Sequence, residues 1–61
     1  MAKYEVILED GRITHVNSPD ESQVKAQAEH WDRDRFVINV KRGHDPGPSP
    51  AKAAVITKVK D

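Results

Sequence analysis

Apolar and polar residues alternate along the first stretch of the chain, with Tyr4, Val6 and Leu8 set against Lys3, Glu5, Ile7 and Glu9. Period two with β-forming side chains predicts a half-buried strand over residues 3–9. Asp10-Gly11 follows. Asp-Gly between two such runs signals a two-residue hairpin, because a type I′ turn needs positive φ at both positions. Residues 12–17 are then the return strand, with Glu9 opposite Arg12 and Leu8 opposite Ile13. That register places Tyr4, Val6, Leu8, Ile13 and His15 on one face, and Ile7, Thr14 and Val16 on the other.

The pattern then changes period. Val24, Ala28 and Trp31 recur at i, i+4 and i+7, a narrow helical stripe. Its start is marked by Ser18 as N-cap, Pro19 at the first helical position, and Glu21 placed to close a capping box. Glu21–Lys25 and Glu29–Arg33 are i,i+4 pairs in the favourable order. Trp31 is the expected anchor of the helix on the sheet, and the polar run 32–34 is read as its end.

Residues 35–42 return to alternation and predict a third strand, with Phe36, Ile38 and Val40 towards the core and Val37, Asn39 and Lys41 behind. Residues 43–50, Gly-His-Asp-Pro-Gly-Pro-Ser-Pro, form a loop that no regular element survives. The tail reads two ways. Ser49-Pro50 repeats a helix start, and Ala51, Ala54 and Val55 fit a helical stripe, yet residues 55–60 alternate and are rich in β-formers. A short turn over 51–54 followed by a fourth strand is the reading adopted. The expected fold is one α+β domain over residues 1–61, ββαββ, with a four-stranded, mainly antiparallel sheet and one helix on one face.

Composition narrows the class. A chain of 61 residues without cysteine has no disulfide framework and no thiolate metal site. It sits near the lower size limit for unaided folding, burying about 60% of the surface its unfolded chain exposes. No apolar run approaches a membrane span, and no secretory leader is visible, so a cytoplasmic protein is expected. The formal charge is zero but unevenly spread. Residues 1–34 hold four basic and eight acidic side chains, net −4, and residues 35–61 hold six and two, net +4.

Candidate chemistry is sparse. His15 on a core face reads as a structural histidine. His30, Asp32 and Asp34 sit close in sequence, but i and i+2 diverge on a helix. His44-Asp45 lies in the proline loop. With neither a two-His spacing nor a cysteine, no metal site is assigned. The serines Ser18, Ser22 and Ser49 have no nucleophile-elbow setting, and the three glycines stand singly, so no phosphate loop exists. No cofactor, no small-molecule substrate and no catalytic residue is expected.

Two binding surfaces are candidates. With the helix on one face, Ile7, Val16, Val37 and Ile56 would be left on the other, where a solvated sheet is normally polar. Their covering by a protein partner or a second copy is the leading functional expectation. The alternative is a nucleic-acid-binding module using Lys41, Arg42, Lys52, Lys58 and Lys60, although exposed aromatics for base stacking are not expected.

Overall fold

The computed structural model describes residues 1–60. Its elements are β1 (Ala2–Leu8), β2 (Ile13–Ser18), a short 3-10 turn (Glu21–Gln23), α1 (Val24–Lys41) and β3 (Ala53–Lys60). The strands form one antiparallel sheet in the order β2-β1-β3. The expected α+β class stands, but the sheet has three strands and not four.

The missing strand is helix. Residues 35–41, expected as extended chain, continue α1 without a break. Asp32-Arg33-Asp34 contains neither glycine nor proline, and a helix already nucleated adds residues at little cost even through β-branched ones. The first true stop is Gly43, at φ 72°. There Gly43 N–H donates to the Val40 carbonyl (3.1 Å) and His44 N–H to the Asn39 carbonyl (2.9 Å), a Schellman closure.

The other end of the helix is also displaced. Ser18 closes β2, buried opposite Ala2. Its hydroxyl accepts from Asp20 N–H (3.2 Å) and donates to the Asp20 carbonyl (2.9 Å). The capping side chain is Asp20, whose carboxylate accepts from Ser22 N–H at 3.0 Å. The expected cap at Ser18 is therefore moved two residues on, because pairing with β1 claims the serine first.

The hairpin turns through three residues. Leu8 N–H donates to the Arg12 carbonyl (2.8 Å), and Gly11 N–H to the Leu8 carbonyl (2.9 Å). Gly11 alone takes positive φ, 93°, and Asp10 does not, which excludes the expected type I′ turn. Asp10 instead accepts from Arg12 N–H at 3.1 Å. The extra residue shifts the register by one, so Tyr4 faces Val16 and Ile7 faces Ile13. Every side chain of β2 changes face relative to expectation.

The core follows from this register. Tyr4, Val6, Leu8 and Ala2 from β1, Val16 from β2, and Val24 and Ala28 from α1 are buried together, with Ala51, Ala53 and Ile56 packed against them. Trp31, the expected anchor, is half exposed at 50%. The tail is extended, as adopted, and strand begins two residues early, at Ala53. The helix outruns the sheet: Asp32 lies level with the hairpin end, bonded to Arg12. The nine residues after it add about 13 Å at 1.5 Å each.

Candidate functional site

Two places on the molecule concentrate chemistry. The first is the carboxylate of Asp32, whose side chain is 7% exposed. Arg12 from the hairpin grips it with two bonds, at 2.7 and 2.9 Å. Arg35, one turn along α1, adds two more at 3.2 and 3.1 Å. The backbone N–H of Ala51 supplies a fifth, at 2.9 Å. Hydrogen bonding from Arg12 dominates the titration of Asp32, holding its carboxyl down at about 2 against the opposing effect of burial. The Arg12 guanidinium is correspondingly raised above its already high value by Asp32 and Asp10.

Both arginines also bind the proline loop. Arg12 donates to the Ser49 carbonyl at 3.3 Å. Arg35 donates to the Pro48 carbonyl at 2.9 Å and to the Pro46 carbonyl. Proline has no N–H to offer, so a loop with three prolines presents carbonyls, and guanidinium forks are suited to collect them. One turn earlier on α1, Glu29 accepts from Ala53 N–H at 2.9 Å. Asp32 thus fastens hairpin, helix and loop together. Beside it a cleft of about 370 Å³ opens, lined by Leu8, Ile13, Thr14, Ala28, Trp31 and the Arg–Asp cluster. The charged groups lining it, Arg12, Asp32 and Arg35, are bonded to one another.

The second place is the face of the sheet turned away from α1. Ile7 lies directly opposite Ile13 on one side and Val55 on the other. These three aliphatics make one row across the full width of the sheet. Ile13 is 59% and Val55 50% exposed. Glu5, His15 and Thr57 form the next row, with His15 Nε2 3.9 Å from Glu5.

The residues singled out from sequence are divided between surfaces. Of Ile7, Val16, Val37 and Ile56, only Ile7 stands on the open face. Val16 is fully buried opposite Tyr4, since the register shift turned it inward. Ile56 pairs with Val6 and packs against the core. Val37 is exposed on α1, because its segment is helix and not strand. Ile13 joins this face because the three-residue turn shifts β2 by one. Val55 joins it because β3 pairs with β1 so that Ile56 faces the core, a register no sequence signal marks.

The basic residues are dispersed as well. Lys41 and Arg42 end the helix, whereas Lys60 pairs with Lys3 and Lys58 with Tyr4 at the opposite end of the sheet. An 18-residue helix, roughly 27 Å long, separates the two groups. Lys52 lies between, its carbonyl accepting from Glu9 N–H at 2.8 Å. The five are spread along the molecule and not gathered at one place.

The histidines stay apart. His30 contacts Asp34 at 3.0 Å one helical turn on, while Asp45 caps its own loop through Gly47 N–H at 2.9 Å. Among the described residues no three His, Cys, Asp or Glu side chains gather as a metal site. No helix of the described residues is long and apolar enough to cross a membrane. No protein-family model, curated protein or solved structure matches the chain.

Proposed function

We propose that this chain is a small, non-enzymatic interaction module of the cytoplasm that associates with protein surfaces, a second copy of itself first among them, through the open face of its sheet. The observation that carries the reading is the row Ile13–Ile7–Val55. Isolated apolar residues on a surface need no explanation, but a row that spans the sheet is a ready contact. Sheets left to solvent on one side are normally polar there, as this one is in its Glu5 and Lys3 rows; the Ile7 row is the exception. The mutual saturation of Asp32, Arg12 and Arg35 favours binding over catalysis, since no titratable group in the cleft is held poised for proton transfer. Absence of cysteine favours a reducing compartment.

Val55→Lys tests the reading. Val55 is half exposed, so the lysine leaves the core intact and the circular dichroism spectrum unchanged. Sedimentation equilibrium is expected to show the wild-type chain gaining mass with concentration and the variant gaining less. Identical mass curves for the two would overturn the role of this face.

A further inference from the structure

In a three-stranded sheet two strands are edges, and here they are unequally protected. β3 carries Lys58 and Lys60, and its register with β1 shifts twice, between Lys3 and Tyr4 and between Ile7 and Leu8. Lysines and bulges are the usual devices that stop an edge from pairing with another chain. β2, Ile-Thr-His-Val-Asn-Ser, has no Lys, Arg, Asp, Glu or Pro and pairs with β1 in unbroken register over six residues. One side of it is bonded to β1, and among the described residues no strand lies on the other.

The outward backbone groups can be assigned. Leu8 N–H donates to the Arg12 carbonyl, so Leu8–Arg12 is a bonded pair. In an antiparallel ladder bonded pairs alternate, which turns the N–H and C=O of Thr14, Val16 and Ser18 towards β1. The N–H and C=O of Ile13, His15 and Asn17 therefore point away from the sheet. On the helix side, the cleft beside Trp31 leaves this edge open at Ile13 and Thr14.

We propose that a second copy of this chain adds to the molecule edge to edge through β2, antiparallel about a two-fold axis at His15. In that register Ile13 lies opposite the partner copy's position 17, and position 15 lies opposite itself. All three outward residues are used, for six main-chain hydrogen bonds, and a one-pair slip in either direction loses some of them. A two-fold contact must be self-complementary, and β2 meets this by carrying no Lys, Arg, Asp or Glu. Pairing through β3 would bring lysine-bearing edges together. The product is a continuous six-stranded sheet with both helices on one face and two apolar rows on the other.

The contact is separable from the open-face association proposed above. Val55 lies on the opposite edge strand, so the Val55→Lys chain isolates the β2 contact. In that background, light scattering is expected to give a dimer. His15→Pro removes an outward N–H without touching the ladder to β1, and is expected to give a folded monomer. His15→Lys and His15→Glu keep the backbone intact; each alone sets like charges directly opposite and is expected to be monomeric, while an equimolar mixture of the two restores the dimer. A monomeric Val55→Lys chain, a dimer that survives all three His15 changes, or a charge-reversed mixture that stays monomeric would each overturn the β2 edge as the contact. Loss of the open-face association alone would show only in the comparison of wild type with Val55→Lys.

Discussion

Five hydrogen bonds fall on the two carboxylate oxygens of Asp32, and the residues that donate them come from a turn, a helix and a loop. Such a group stabilises only while ionised. Its ordinary value is 3.8 and its folded value about 2, so its contribution is complete above roughly pH 4 and is lost as pH falls towards 2. Asp10 and Asp20 are also lowered, each by its hydrogen bonds, and act in the same direction. Asp32→Asn is expected to cost about 2–3 kcal/mol at neutral pH, because it strips a partner from two arginines that are two-thirds buried. Thermal melts from pH 7 down to pH 2 check this: the variant begins lower and loses less on acidification than the wild type. An unchanged melt at pH 7 would mean that the arginines find equal partners in the loop carbonyls. Gln27 presents the opposite case. Its Oε1 is buried and has no hydrogen-bond partner among the described residues. Gln27→Leu is expected to raise stability by about 0.5–1 kcal/mol, measured by urea denaturation, since leucine is an equally good helix former and leaves no acceptor unsatisfied.

At the scale of elements, caps and turns decide where each segment begins. Asp20→Ala is expected to cost about 1 kcal/mol by removing the bond to Ser22 N–H, a drop of several degrees in Tm for a domain this size. A melt that does not move would return the cap to Ser18. Much of the fold was legible from such signals. Alternation located β1 and its core face, Tyr4, Val6 and Leu8, and the Val24–Ala28 stripe located the helix. What misled was local ambiguity with non-local resolution. Phe36-Val37-Ile38-Asn39-Val40 has the side chains of a strand, yet nothing between Trp31 and Gly43 breaks a helix, and continuity prevailed over propensity. Asp10-Gly11 signals a hairpin truly, but whether two or three residues make the turn depends on the φ of Asp10, which the dipeptide leaves open. That single residue decided which of Val16 and Ile13 faces the core. Only the Arg35 contact of the Asp32 clasp, one helical turn away, is local; the other two partners lie 20 positions before it and 19 after, beyond any sequence spacing.

Across the whole molecule, 38 Å in its longest dimension, stability is expected to be uneven. The core lies between β1, β2 and the first half of α1, around Val6, Val16 and Val24, all fully buried. The second half of α1 passes beyond the hairpin, and Val37, Ile38 and Val40 there are 41%, 47% and 52% exposed. Those two turns rest on the Schellman closure and on the proline loop that Arg35 holds against them. Amide hydrogen exchange should therefore divide the helix, with high protection over residues 28–32 and much lower protection over 37–41, although both are helical. The amides of Ala51 and Ala53 owe their protection to Asp32 and Glu29. In Asp32→Asn, exchange is expected to quicken at Ala51 and through residues 46–53, and to quicken again over 37–41 as the loop comes loose. The β1–β2 ladder, which Asp32 touches only through Arg12 at the turn, is expected to keep its order of protection. Uniform acceleration at every amide would instead mean that the molecule opens only as a unit, with Asp32 part of the global core. Acceleration confined to Ala51 would reduce the clasp to a single hydrogen bond. The graded pattern, with loop and overhanging helix released together and the hairpin spared, is the one that follows from a carboxylate fastening one half of this small molecule to the other.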